Sequence, residues 1–307
     1  MKSVCIGVDV GGTNLRCAIV SRGGAVLQRE SQPTEVGSGS ASFLLRLLLA
    51  LGRLQAEAKA QGQRVAAIGL GMPGLMSNEG VLRCSVNLLP LVGLNVAAAV
   101  SSGIGLPVVV LNDANASALG EQHFGAGKPY RSFLNVTIGT GVGAGLILDG
   151  RLWTGIDGSA GEFGHITVEP SGRLCGCGNR GCLEQYASAT AIAALAARQA
   201  AGQGKSDAAS VAARALRGDT QAAAIFEQAG RYLGIAAAGV VNLLNLEAII
   251  LGGGVAESFA LLAVPMRKEV MARTFAIPGA RVRVVKGELG DDAGVQGAAA
   301  AAFAALN

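Results

Sequence analysis

Residues 3–20 read SVCIGVDVGGTNLRCAIV. An apolar run of strand type enters a turn at Gly11 and Gly12, and a second apolar run from Leu15 to Val20 leads back. The polar SRGG at 21–24 signals a hairpin into a third strand. Residues 131–150, RSFLNVTIGTGVGAGLILDG, repeat the design: apolar strand, glycine turn, apolar strand, hairpin. A repeated unit of this kind predicts two related halves.

Working outward, ASFLLRLLLALGRLQAEAKAQG at 41–62 keeps helical periodicity up to Gly62. VAAIGLGMPG at 65–74 is a buried strand stopped by Pro73 and Gly74. LPVVVLNDANASALGEQHFG at 106–125 is strand into helix, with Asp113 at the junction. Ala-rich helices follow Ser188, and LEAIILGGGVAES at 246–258 is strand, glycine turn, helix. Strands alternate with helices throughout, so the class is α/β.

Composition narrows the function classes. The chain has 307 residues, half of them hydrophobic, which is ample for one large or two medium cores. A net charge of +4 without a Lys/Arg run is no nucleic-acid footprint. Apolar runs such as FLLRLLLALG at 43–52 carry an Arg and are too short to span a bilayer. The N-terminus enters a glycine turn at once, unlike a signal peptide. The expectation is a soluble cytoplasmic protein with no nucleic-acid or membrane partner.

Three glycine turns each follow a strand: DVGGTN from Asp9, IGTGVGAG from Ile138 and LGGGVAE from Leu251. Glycine there lets backbone approach a ligand and leaves N–H groups for phosphate oxygens. Asp9, just before Gly11 and Gly12, is placed to hold a Mg²⁺ shared with phosphates. GTGVGA matches a loose dinucleotide fingerprint, but that motif needs a helix directly afterwards, and GLILDG reads as a strand. No P-loop pattern is present. A duplicated hairpin scaffold holding ATP is the remaining nucleotide reading.

Asn112 and Asp113 stand at the C-terminal end of a buried strand, where α/β sheets place ligands. A carboxylate there is a candidate base for an acceptor hydroxyl in phosphoryl transfer. A plain helix N-cap would select the same residue types. Asn87, Glu162 and Glu184 are amide and carboxylate groups of the kind that take paired sugar hydroxyls.

Residues 161–188, GEFGHITVEPSGRLCGCGNRGCLEQYAS, hold His165, Cys175, Cys177 and Cys182. Three thiols and an imidazole fit tetrahedral zinc, and a site with all four positions filled by protein is structural. Reduced structural thiols beside a solvent-facing His are the alternative. Cys5, Cys17 and Cys84 sit in apolar contexts and are expected in the core. His123 is expected to have no special role.

Together, DVGGT, GMPG, NDANASALGE, IGTGVGAG, GSAGEFGHITV, CGCGNRGCLE and LGGG resemble the motifs of the ROK family of repressors, open reading frames and sugar kinases. The likeness runs nearly end to end, and the GEFGH…CGCGNRGCLE pair is its most specific part. It implies two ribonuclease-H-like lobes of the actin, Hsp70 and sugar-kinase type closing over ATP and a sugar. The lobes are expected at 1–112, joined by a C-terminal helix at about 291–307, and at 113–290. Asp113 would be the base acting on a sugar hydroxyl. Asn87, Asn112, Glu162, His165 and Glu184 match sugar contacts, with His165 also on zinc. Gly7, Asp9, Gly11, Gly12, Thr13 and Asn14 match one ATP phosphate loop; Gly139, Thr140, Gly141, Gly143 and Gly145 match the other. Gly252, Gly253 and Gly254 match the adenosine side.

The implied activity is ATP-dependent phosphorylation of a hexose at its C6 hydroxyl, with glucose the first candidate. The alternatives are N-acetylglucosamine, N-acetylmannosamine or allose as the sugar, or a sugar-sensing regulator without turnover. Family repressors carry a DNA-binding domain before the kinase-like part, whereas this chain begins at the first strand. Many family glucokinases carry a Trp after the Asn-Leu-Pro element; NLLPLVGLN at 87–95 has none. A homodimer is expected from the same resemblance.

Overall fold

The computed structural model describes residues 2–77, 79–85, 87–199 and 207–306. The chain divides into two compact units. The first comprises Met1–Lys128, Leu152–Ala160 and Asp291–Asn307, and the second comprises Pro129–Arg151 and Gly161–Gly290. The resemblance implies a boundary at 112/113; the first unit runs on to Lys128 and includes Leu152–Ala160 as well as the C-terminal segment.

In the first unit, β1 (Lys2–Val10), β2 (Asn14–Ser21) and β3 (Val26–Pro33) form the antiparallel meander expected from the hairpin signals. β4 (Gln63–Met72) pairs parallel to β1. A short ribbon of β5 (Leu75–Met76) and β6 (Leu82–Cys84) follows, and β7 (Val108–Asn112) pairs parallel to β4. The sheet order is β3-β2-β1-β4-β7. Helix α1 (Ser40–Ala60) buries Phe43, Leu47, Leu51 and Leu54 on one stripe against Ile6, Val8, Leu15 and Ile19. Helix α2 (Val96–Ile104) is capped by Asn95, whose side chain accepts from the Ala98 N–H at 2.9 Å, and it stops at left-handed Gly105. β7 runs directly into α3 (Asp113–Phe124).

The second unit repeats this plan. Its sheet takes β8 (Phe133–Ile138), β9 (Val142–Leu148), β10 (Arg151–Trp153, of which Arg151 belongs to this unit), β11 (Ala248–Gly252) and β12 (Arg283–Lys286) in the order β10-β9-β8-β11-β12. β8 pairs antiparallel to β9 and parallel to β11, as β1 does to β2 and β4. Between the strands lie α4 (Glu184–Ala187), α5 (Ala189–Gln199), α6 (Ala208–Leu216), α7 (Thr220–Leu244), α8 (Phe259–Arg273) and α9 (Ala276–Arg281). Helix α7 carries the core, burying Ile225, Phe226, Leu233 and Val241. Asp219 caps its start and left-handed Asn245 ends it.

The last helix, α10 (Ala293–Ala304), lies in the first unit and packs at backbone distance. A Cβ on Gly7 would fall 1.8 Å from the Val295 carbonyl oxygen, and one on Gly297 would fall 1.6 Å from that of Ala116. Gly297→Ala therefore forces α10 away from α3. Overpacking of this kind costs about 1–3 kcal/mol or more. The urea midpoint should fall accordingly, and an unchanged midpoint would refute this account of the packing.

Cys5 and Cys17 are buried in this unit as expected, but Cys84 is exposed. In β6 only Leu82 is buried in the core, and Arg83 and Cys84 after it are exposed. Among the described residues no helix is long and apolar enough to cross a membrane.

Candidate active site and metal centre

In the first unit, β1 delivers Asp9 to the start of the first glycine turn. Register places Arg16 of β2 opposite it, with its guanidinium 3.6 Å from the carboxylate and 3.5 Å from Asp291. Burial pushes the Asp9 carboxyl up to about 6; the Asp113 charge adds to the rise, Arg16 opposes it and Asp291 adds further. Asp9 and Asp113 thus lie within electrostatic reach of one another.

The turn itself closes through the Gly11 N–H, which donates to the Asn14 carbonyl at 2.8 Å. Thr34, fully buried, braces it: its hydroxyl donates to the Gly11 carbonyl at 2.6 Å and its N–H to that of Thr13 at 2.8 Å. Arg46 of α1 holds Thr34 in turn, donating to its carbonyl at 2.6 Å. No motif pointed to Thr34, because its role depends on two backbone carbonyls that only the turn presents. Gly12, Thr13 and Asn14 are exposed, and the Asn87 side chain lies beside Gly12. Gly7, by contrast, is accounted for by α10.

At the end of β7 the cap of α3 is Asn112. Its Oδ1 accepts from the Ala114 and Asn115 N–H groups at 2.9 and 3.2 Å, and its amide donates to the Gly74 carbonyl at 3.2 Å. Asp113 is the first helical residue and accepts from the Ala114 N–H at 2.9 Å. The capping role that would have explained Asp113 thus belongs to its neighbour.

In the second unit the turn between β8 and β9 is Gly139-Thr140-Gly141, closed by the Gly139 N–H donating to the Gly141 carbonyl at 3.0 Å. Gly143 and Gly145 lie beyond it, inside β9, in register with Thr137 and Asn135. Gly253 is left-handed and packs on Ile138. A cavity of about 460 Å³ opens beside this turn, lined by Gly139, Thr140, Ala208, Ala212, Leu216, Phe226, Gly254, Val255 and Ser258. Helix α6 forms one wall, and its alanines leave the space. Sequence motifs located the glycines but not α6, which carries no motif.

His165, Cys175, Cys177 and Cys182 come together with all their ligand atoms within 4.8 Å of one another. The His165 Nδ1 is 3.7 Å from the Cys175 Sγ, and the Cys177 and Cys182 sulfurs are 3.6 Å apart. Tetrahedral zinc with Zn–S of about 2.3 Å sets its ligands roughly 3.7 Å apart, so the donor set fits the ion. The loop reaches this geometry through the Cys175 N–H donating to the Asn179 carbonyl at 2.8 Å and the Gly181 N–H to that of Arg173 at 2.8 Å. Gln185 donates to the Cys175 sulfur at 3.7 Å. Burial pushes the Cys182 thiol up to about 12, while the Asn179 amide draws Cys177 down. Tyr186 anchors the loop, accepting from the Arg173 N–H at 3.0 Å and packing its ring, tilted by 38°, against Tyr232 of α7 at 4.4 Å between centroids.

The other ring nitrogen of His165, Nε2, lies 3.8 Å from the Glu162 carboxylate. Burial raises the Glu162 carboxyl, with His165 pulling it down and Glu184 pushing it up. Glu162, His165 and Glu184 therefore form one polar group alongside the Cys₃His cluster. The Glu184 Oε2 accepts from the Val142 N–H at 3.0 Å, so this carboxylate also touches the second glycine turn. His123, on α3, joins none of these groups; burial lowers its pKa.

The family model for ROK matches residues 5–304. The chain belongs to the ROK family. It is 34% identical over 311 residues to a glucokinase of Thermotoga maritima, covering 97% of this chain and 96% of that protein. A Streptomyces griseus ROK family glucokinase solved in complex with glucose and AMPPNP is 31% identical, with a TM-score of 0.85 and coverage of 98% and 99%. A ROK family transcriptional regulator homologous to the E. coli MLC protein has a TM-score of 0.89 at 31% identity, covering 98% of this chain and 78% of the regulator. The fold is thus that of the ROK sugar kinases, of the actin, Hsp70 and sugar-kinase type.

Proposed function

We propose that this ROK protein is an ATP-dependent hexokinase that converts glucose to glucose 6-phosphate, its two units serving as the lobes. The observation that carries the reading is Asp113. It stands at the end of β7, near Asp9 and beside a cap already supplied by Asn112. With Asn112 serving as the cap, the Asp113 carboxylate, which accepts the Ala114 N–H through one oxygen, is the candidate acceptor of the hydroxyl proton.

Asp113 takes the proton of the C6 hydroxyl as the phosphoryl group moves. Asn87, Asn112, Glu162, His165 and Glu184 are the proposed sugar contacts. Within the two turns, Gly12 and Thr13, and Thr140 and Gly141, are the residues whose backbone N–H groups would hold the phosphates. The cavity between α6 and Gly254 takes the adenosine, whose flat base suits its small apolar walls. Asp9 is the residue that would hold Mg²⁺, which supplies charge neutralisation at the phosphates when bound. Arg16 is the guanidinium beside it.

The experiment is a coupled assay of ADP release with ATP, Mg²⁺ and a panel of glucose, allose, N-acetylglucosamine and N-acetylmannosamine. Glucose should give the highest kcat/KM. Preference for an N-acylated sugar or allose would keep the chemistry and move the substrate. The likeness to the MLC homologue supports a second reading, a regulator that binds sugar without turnover. Sugar binding with no ADP release from any member of the panel would establish that reading against the first.

The same proposal includes a homodimer in the cytoplasm. Leu243, Phe275 and Ile277 are each about four-fifths exposed near the ends of α7, α8 and α9 and suit a covered surface. Light scattering should give twice the chain mass, and a monomer would remove this part.

A further inference from the structure

The segment that holds the metal ligands also builds the second glycine turn. The Glu184 Oε2 accepts from the Val142 N–H at 3.0 Å. The Ala189 N–H donates to the Gly139 carbonyl at 2.8 Å, and the Thr190 hydroxyl to that of Thr140 at 2.8 Å. A Cβ on Gly141 would fall 2.3 Å from the Glu184 carboxylate, and one on Gly164 would fall 2.1 Å from the Val142 carbonyl oxygen. The Glu184 carboxylate thus lies directly against the Gly141 Cα, and a side chain at 141 would displace it. Among these contacts Glu184 is the charged one, and it stands two residues after Cys182.

We infer that Glu184 is a positioning residue for the nucleotide phosphates: by holding the Val142 N–H it sets the conformation of Gly139-Thr140-Gly141, independently of any sugar it also contacts. This rests on the kinase reading. The turn is three residues long and has glycine at both ends, so its own backbone has many accessible conformations. A carboxylate accepting from the amide at its exit selects one of them. The same carboxylate belongs to the polar group with Glu162 and His165, so sugar contact at Glu184 would be felt at the turn.

The test is calorimetric titration of a non-hydrolysable ATP analogue with Mg²⁺, sugar absent, into the zinc-loaded protein and three variants. Glu184→Ala removes the acceptor, Glu184→Asp retains charge but withdraws it by one methylene, and Glu184→Gln retains an acceptor oxygen. Zinc content and melting temperature are read on each. The Ala and Asp variants should bind the analogue about tenfold more weakly, with zinc at the wild-type level, and the Gln variant should stay within about threefold of wild type. Wild-type affinity in the Ala and Asp variants would overturn the inference and leave Glu184 a sugar contact only. Equal loss in the Gln variant would also overturn it, because the acceptor is then not what matters. If the Ala variant fails to retain zinc, the Asp and Gln pair decides alone. Wild-type protein that binds no analogue would bring down the kinase reading, and this inference with it.

Discussion

Asp113→Asn should lower kcat by about 10²–10⁴-fold, with the KM for glucose and for ATP changed only a few-fold. The substitution keeps size and hydrogen-bonding capacity and removes the ability to accept the hydroxyl proton. Its structural cost should be small because Asn112, not Asp113, caps α3 and ties β7 to Gly74. Removing the Asp113 charge also removes one of the influences that raise the Asp9 carboxyl, so the first turn should be eased rather than strained. The unfolding midpoint should therefore stay in place while turnover collapses. A variant that kept more than about a tenth of wild-type kcat would deny Asp113 the role of base.

Loss of the metal should be the largest effect on stability. The protein should carry one zinc per chain, measurable by elemental analysis, and Cys182→Ala should abolish it. Cys182 is fully buried, and Leu183, Ala187 and Phe163 around it are part of the second core. Opening the loop therefore exposes core as well as ligands. A loss of a few kcal/mol shifts the melting temperature of a unit this size by roughly 10 °C, short of the ~10 kcal/mol that structural zinc supplies in isolated small domains. Sugar affinity should fall in step, because His165 presents one ring nitrogen to the sulfurs and the other to Glu162. Zinc-free protein with unchanged melting temperature and glucose KM would show the cluster to be reduced thiols only.

Much of this was legible in the chain. Strand, glycine turn, strand is a local pattern, and its recurrence at 131–150 pointed to two related halves; the structure gives the two sheets the same strand order. The Cys₃His group was legible from residue type and spacing, because metal ligands must converge and few other pressures produce that array. Asp9 and Asp113 were legible because each sits where a strand ends. Less legible were residues whose chemistry is ordinary and whose partners are distant. Thr34 is one such residue, and α6, whose alanines only leave a space, is another. Cys84 lies in an apolar stretch, yet it is exposed where the β5–β6 ribbon runs out.

Sequence alone determined the α/β class, the duplicated hairpin plan, the grouping of His165, Cys175, Cys177 and Cys182, and the carboxylates at the strand ends. These depend on neighbours a few residues away, where periodicity and turn chemistry are decisive. Only the tertiary structure decided which of the marked residues are already committed within the protein. Gly7 answers to Val295, Asn112 to the start of α3 and to Gly74, and Glu184 to Val142, 42 residues before it. Such commitments are set by hydrogen bonds and close packing between segments remote in the chain. A glycine that admits a phosphate and a glycine that admits a helix look the same until the partner is in place.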